Sequence, residues 1–150
     1  MDKPQAKRIL VVDDEECIAE TLVLILCSFG YEATARNAAR GALEDCELQA
    51  PDLVISDVMM PEVNGIELAI QIEERYPACK ILLISGLGSS FALLEEASQK
   101  GYSFEIMSKP IRPPDLLARI KVVLAEEKPS RTVKTSVITG AFQTSTISGI

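Results

Sequence analysis

The 150-residue chain contains no histidine. That absence removes the general base on which Ser-His-Asp and Cys-His nucleophile systems depend, and it takes away the usual nitrogen ligand of structural zinc. Cysteine does not fill the gap. Cys17, Cys27, Cys46 and Cys79 lie far apart with no Cys-x-x-Cys spacing, so they are expected to stay reduced and to pack as small apolar side chains. Any chemistry must therefore use carboxylates, lysine, hydroxyls or a hard metal ion. No apolar run approaches the ~20 residues that a membrane span needs, the longest candidate being Thr21 to Ser28. The charged N-terminus is followed by only four apolar residues, Ile9 to Val12, too few for a secretory signal, so a cytoplasmic protein without a membrane partner is expected. Clustered positive charge is missing as well. A net charge of −7 argues against a nucleic-acid groove and points to a protein partner or a small ligand.

What is present suits a single globular domain: the length can bury a sizeable core and the apolar fraction is 47%. Ile9 to Val12, Leu53 to Ile55 and Ile81 to Ile84 are short apolar runs of the kind found in strands covered on both faces, and Tyr31 to Arg36 and Phe104 to Met107 read as weaker strands. Helical patterns separate them. Ile18, Leu22, Ile25, Leu26 and Phe29 form one stripe, stopped by Gly30; Asn37 can cap a second helix through Ala42, Leu43 and Cys46. Asn64 can cap a third with Ile66, Leu68, Ala69 and Ile72 inward, and Ser89 or Ser90 can open a fourth with Ala92, Leu93 and Ala97, closed by Gly101. Pro113-Pro114-Asp115 starts the last, with Leu116, Leu117, Ile120, Val123 and Leu124 as its apolar stripe. Strands alternating with helices predict an α/β fold, a five-stranded parallel sheet doubly wound by five helices, over residues 1–128. From Pro129 the composition changes: Ser and Thr supply nine of the last 22 residues, and Arg131 and Lys134 are the only charges. Residues 129–150 are expected to be a flexible tail, although Val133, Val137, Ile138, Phe142 and Ile147 leave a hairpin around Gly140 open.

The strand ends carry the chemistry. Strand one breaks into Asp13-Asp14, strand three stops at Asp57 ahead of Pro61 and Asn64-Gly65, strand four stops at Ser85-Gly86, and strand five meets Lys109-Pro110. Taken alone, Asp57 reads as a turn-initiating residue, and Asp13 and Asp14 as first-turn acids that favour a helix N-terminus. Taken together they do not, because in a parallel sheet all these ends open on one edge. Crowded carboxylates repel unless a cation sits among them, and oxygen ligands without His or Cys select a hard ion, Mg²⁺ first. Such an ion, with Lys109 and Ser85, could neutralise and hold phosphoryl oxygens while one carboxylate attacks phosphorus.

Ile9-Leu10-Val11-Val12-Asp13-Asp14-Glu15, Ser56-Asp57-Val58-Met59-Met60-Pro61 with Asn64-Gly65, Ile84-Ser85-Gly86 and Lys109-Pro110 together resemble the receiver domain of two-component response regulators, over residues 8 to about 127. The resemblance implies a flavodoxin-like strand order of 2-1-3-4-5. It implies that Asp57 is phosphorylated, that Asp14, Asp57 and the backbone carbonyl of Met59 bind Mg²⁺ directly with Asp13 helping through water, that Lys109 pairs with the phosphoryl group, and that Ser85 bonds it in the active state. The bond before Pro110 is then expected to be cis. Partners implied are a sensor histidine kinase or phosphotransfer protein, which supplies the phosphohistidine, and an unidentified downstream protein target. The protein would be a signalling phospho-acceptor and not an enzyme, beyond its own phosphotransfer and autodephosphorylation. One residue departs from the pattern: many receivers place Tyr or Phe three residues before the lysine, and this chain has Ile106. Phe104 shares its face of the strand by alternation.

The same α/β pattern would also suit two other classes of protein. A phosphorylation-independent interaction module with the same fold would be expected to have lost an acid, the nucleophile or the lysine, and all are present. A phosphatase with an aspartyl nucleophile would want a second acid where Met59 stands, and a dinucleotide oxidoreductase would want Gly-x-Gly-x-x-Gly where Asp13-Asp14-Glu15-Glu16-Cys17 stands.

Overall fold

The computed structural model describes residues 5–86 and 91–126. Five strands, β1 (Arg8–Val12), β2 (Glu32–Arg36), β3 (Leu53–Asp57), β4 (Lys80–Ser85) and β5 (Glu105–Ser108), alternate with α1 (Glu16–Ser28), α2 (Ala39–Leu48), α3 (Gly65–Arg75), α4 (Phe91–Gln99) and α5 (Pro113–Ala125). The strands form one parallel sheet in the order β2-β1-β3-β4-β5: the parallel α/β sheet is what the sequence pattern predicts, and the order is the one that the family resemblance implies.

Because successive strand residues point to opposite faces, each central strand feeds two cores. Leu10, Val12, Val54, Val58, Ile81 and Leu83 pack under α2, α3 and α4, where Ala42, Cys46, Leu68 and Ile72 are buried. Ile9, Val11, Leu53, Ile55, Leu82 and Ile84 pack under α1 and α5, against Leu22, Leu26, Leu116, Ile120 and Val123. β3, in the middle, is buried at all five positions. A buried Leu or Ile in such a core is worth ~2–5 kcal/mol against truncation to Ala, so these layers set the rigidity of the strand ends.

Local signals explain most boundaries. The Asn64 side chain accepts a hydrogen bond from the Glu67 N–H at 2.9 Å and caps α3. Gly30 and Gly101 adopt left-handed conformations (φ 95° and 93°), and the N–H groups of Gly30 and Tyr31 bond back to Cys27 and Leu26, as those of Gly101 and Tyr102 do to Ser98 and Ala97. Both are Schellman closures. At the far end of the sheet, the Lys80 ammonium donates to the carbonyls of Val123 and Glu126 and caps α5.

Four expectations need correction. Asn37 does not cap α2; Ala38 occupies that position without a side-chain cap, because starting at Ala39 phases Ala39, Ala42 and Cys46 onto the core. In α1, Ile18 and Phe29 are exposed and the buried stripe is Ala19, Leu22 and Leu26: small Ala19 lets the helix lie close to the sheet, which turns Ile18 outward. Of the cysteines, Cys46 and Cys79 are buried, but Cys17 and Cys27 in α1 are exposed; all four are free thiols. Finally, β2 and β5 each begin one residue later than expected, at Glu32 and Glu105. The helix opening at Ser89 or Ser90 and the tail at 129–150 lie outside the described residues.

Candidate functional site

The strand ends meet as a rim. Asp57 is the last residue of β3 and Ser85 the last of β4, while Asp13 and Lys109 each stand one residue past β1 and β5. Backbone bonds clip these ends together: the Asp13 N–H donates to the Arg36 carbonyl at 3.1 Å, Val58 to Ile84 at 2.9 Å, and Lys109 to Ser85 at 2.8 Å. Lys109-Pro110 is cis, as expected.

Asp13, Asp14 and Asp57 each bring a carboxylate oxygen within 4.8 Å of the others. Asp13 and Asp57 are buried, 3% and 7% exposed, whereas Asp14 faces solvent. The Lys109 ammonium lies 3.1 Å from Asp57 Oδ2 and 3.8 Å from Asp13 Oδ2. Burial, together with the negative charge of Asp57, raises the Asp13 carboxyl above its ordinary pKa, despite a hydrogen bond from the Glu15 N–H and the nearby lysine. For Lys109, burial acts downward, but the Asp57 hydrogen bond and the charges of Asp57, Asp13 and Glu15 outweigh it and lift the ammonium pKa. Asp57 Oδ1 also accepts a long bond from the Met59 N–H at 3.4 Å. One ammonium thus serves two buried carboxylates with a third beside them, an arrangement short of positive charge. Oxygen donors gathered this closely, without nitrogen or sulfur, fit a hard divalent ion.

All the site residues named from the sequence therefore stand on one rim: Asp13, Asp14, Asp57, Ser85 and Lys109, with the backbone of Met59 in the loop above. Ser85 is buried at 6% exposed, one residue beyond Ile84, the β4 partner of Asp57. Sequence reasoning passed over two further residues, both at the Asp57 carbonyl. Ser56, buried, donates its hydroxyl to that oxygen at 3.0 Å. Gly65 opens α3 so close beneath it that a Cβ would stand 2.1 Å from the Asp57 oxygen and 2.9 Å from Val58 Cα. A hydroxyl inside an otherwise apolar buried strand was the available signal for Ser56. For Gly65, the Asn-Gly pair signalled only a turn.

A parallel sheet in the order 2-1-3-4-5 with an acidic rim at the carboxyl ends of β1 and β3 defines a flavodoxin-like α/β protein whose site lies at the topological switch point. Residues 9–121 match the response regulator receiver domain, and the chain belongs to that family. Among its relatives, the response regulator receiver protein CpdR of Brucella abortus is 32% identical over 118 residues, spanning 79% of this chain and 97% of that protein. The alkaline phosphatase synthesis transcriptional regulatory protein PhoP of Bacillus subtilis is 33% identical over 139 residues, 89% of this chain but 56% of the relative. A CheY-like receiver domain protein of Methanospirillum hungatei superposes with a TM-score of 0.71 at 31% identity, covering 80% of this chain and 94% of that one. The chain thus spans a little over half the length of some relatives and nearly all of others. Among the described residues, no helix is long and apolar enough to cross a membrane.

Proposed function

We propose that Asp57 accepts a phosphoryl group from a phosphohistidine on a sensor histidine kinase or phosphotransfer protein, with Mg²⁺ held by Asp13, Asp14, Asp57 and the Met59 carbonyl, and that the modified domain switches its contacts with a downstream protein. A carboxylate oxygen of Asp57 forms the new O–P bond as the donor P–N bond breaks. The electron pair stays on the imidazole nitrogen, which takes a proton from solvent, so the charge to be stabilised gathers on the three non-bridging oxygens. Mg²⁺, when bound, supplies neutralisation of that charge. Lys109 contributes a fixed ammonium that Asp57 and Asp13 already orient, and Ser85 offers a hydroxyl from the neighbouring strand end. Ser56 and Gly65 hold the acceptor's backbone so that its carboxylate needs little reorganisation.

The donor imidazole has to reach this rim from outside, since the chain has none. An apolar groove of about 660 Å³ opens directly beside Asp13 and Lys109, walled by Ile18, Ile25, Ile111 and Pro113. It suits an amphipathic helix presenting one polar side chain to the rim.

The observation that carries the reading is the gathering of three carboxylates within 4.8 Å under a single lysine. Acetyl phosphate with Mg²⁺ should add one phosphoryl group, seen as retarded migration on a phosphate-affinity gel, and Asp57→Asn should abolish the shift. A wild type whose mobility does not change would leave only an interaction module of the receiver fold.

A further inference from the structure

The outer edge of β2 carries a pattern the acid rim does not explain. The strand reads Glu32-Ala33-Thr34-Ala35-Arg36. The Glu32 N–H donates to the Lys7 carbonyl and the Arg36 carbonyl accepts from Asp13, so Glu32, Thr34 and Arg36 turn their backbone groups toward β1. By strand parity, Ala33 and Ala35 turn theirs away from the sheet. The Cys27 thiol lies 3.8 Å from the Ala33 carbonyl, a long contact that leaves the oxygen a second lone pair. Sheets usually blunt such an edge with proline, a bulge or repelling charges. β2 has no proline and runs in unbroken five-residue register with β1, so it has no bulge.

Its charges do not repel in one arrangement. If a second β2 is laid antiparallel about a two-fold axis at Thr34, Glu32 of each copy faces Arg36 of the other. Ala33 and Ala35, whose backbone groups point outward, then fall opposite each other as the two hydrogen-bonded pairs of the ladder, and Thr34 meets Thr34 as the non-bonded pair between them. The side-chain parity and the backbone parity agree on the same axis. A parallel in-register arrangement would instead set Glu32 on Glu32 and Arg36 on Arg36.

We propose that the β2 edge is a self-association surface, where two copies of this chain pair antiparallel about Thr34 and join their sheets into one of ten strands. The edge is open: a groove of about 640 Å³ runs along it between Cys27 and Tyr31 on one side and Asp45, Leu48 and Gln49 on the other. At its margin Leu48 is 86% exposed, an apolar side chain left uncovered among the described residues. Glu32 lies 3.9 Å from Arg8, and Arg36 holds Asp45 through two hydrogen bonds of 2.7 and 2.8 Å, so across the axis these pairs merge into alternating-charge chains. A five-residue ladder buries little area and belongs with transient interfaces below ~1,200 Å². Because the two β2 strands run in opposite directions, the two acid rims lie at opposite ends of the joined sheet and both stay open. The pairing does not depend on the phospho-acceptor reading.

Sedimentation velocity tests it. The wild type should show a rising weight-average sedimentation coefficient between ~0.05 and ~1 mM, the range in which transient interfaces assemble. Glu32→Lys and Arg36→Glu should each weaken self-association by roughly tenfold or more, because each sets like charges opposite one another twice in the dimer. Mixed in equal amounts, the two variants should associate again, since the introduced lysine of one then faces the introduced glutamate of the other, and the native Arg36 of the first still faces the native Glu32 of the second. Thr34→Cys, in a background of Cys17→Ser and Cys27→Ser, should oxidise to a covalent dimer, because the opposed Cα atoms of a non-bonded pair stand ~4.5 Å apart, within disulfide reach. A wild type that stays monomeric throughout, a single-charge variant that associates like the wild type, or a Thr34→Cys protein that gives no cross-linked dimer would each overturn the proposal.

Discussion

Replacing Asp13 by Asn should make the metal-free protein more stable. The Asp13 and Asp57 oxygens lie within 4.8 Å, and at an effective dielectric of 20 that pair repels by about 3.5 kcal/mol, whereas the attraction to Lys109 at 3.8 Å is about 4.4 kcal/mol. The two nearly cancel, so the burial of Asp13 and the further charge of Asp14 tip the balance against ionisation, and the carboxyl pKa is raised. The folded state therefore binds this proton more tightly than the unfolded chain does. Its destabilising contribution is fully present above the raised pKa and disappears below the ordinary value of 3.8. Asn keeps the shape and can still accept the Glu15 N–H, which Asp13 Oδ1 now accepts at 2.9 Å. The gain should be on the order of 1 kcal/mol, or about 3–5 °C in Tm. Melting curves followed by circular dichroism in EDTA at pH 7.5 should place the variant above the wild type, and the difference should shrink as pH falls toward 4. With Mg²⁺ at ten times its Kd the wild type gains about 1.4 kcal/mol, and the variant, with one carboxylate fewer at the proposed metal site, should gain less, so the gap between the two melting curves narrows. A variant that melts below the wild type in EDTA, or an advantage that persists unchanged to pH 4, would refute the reasoning.

Gly65→Ala should cost ~2–4 kcal/mol and slow phosphoryl uptake, because the new Cβ must displace the Asp57 carbonyl that it would meet at 2.1 Å; calorimetry and the initial rate with acetyl phosphate read both, and an unchanged rate would count against a positioning role. Lys109→Ala should leave Mg²⁺ binding equal or tighter, since a competing ammonium 3.1 Å from Asp57 is gone, yet abolish the structural response to phosphorylation; parallel loss of both would contradict the assignment. Asn64→Ala should lower stability by about 1 kcal/mol through the lost cap on α3, with a Tm drop of ~3–5 °C and no change in Mg²⁺ affinity.

The sheet order came from the family resemblance; the strands themselves, the two cores and the rim were legible because each rests on a local pattern. Short apolar runs bounded by Asp, Ser-Gly and Lys-Pro fix both a buried strand and the residue at its carboxyl end, and parallelism then brings distant residues together without knowledge of any side-chain position. Asn64, Gly30 and Gly101 acted as read because their chemistry is confined to one turn of chain. The misreadings share another origin. Ile18, Phe29, Cys17 and Cys27 were assigned by apolar character, but the side of α1 that meets the sheet is set by how closely Ala19 lets the helix approach, a property of two elements at once. Gly65 was missed for the same reason, since its contact is with the strand behind it. Phe104 and Ile106 do share a face, packed against the same cluster, but the Phe104 ring stacks on Tyr102, with centroids 6.2 Å apart, ahead of the strand whose other end reaches the rim. Phe104 therefore does not stand where many receivers carry the ring that Ile106 replaces.

Where the core breaks its own rule is informative. Among the described residues, only Asp13, Ser56, Asp57 and Ser85 are polar side chains buried with the core. Three are the rim residues, and the fourth donates its hydroxyl to the carbonyl of Asp57. A fold indifferent to chemistry would gain by filling such positions with apolar side chains, since burying paired charges rarely stabilises and often costs more than a hydrophobic replacement. Here the expense is concentrated on two adjacent strand ends, β1 and β3, and their neighbour β4, while Leu10, Val12, Val54 and Leu83, one to three residues back, obey the packing pattern strictly. Local conflict confined to a few ångströms within an otherwise consistent core marks a selected site and not a packing accident. The same logic explains why the Asp13 and Gly65 substitutions should separate stability from function: the first relieves a conflict that the site requires, and the second damages the close backbone approach that makes it tolerable.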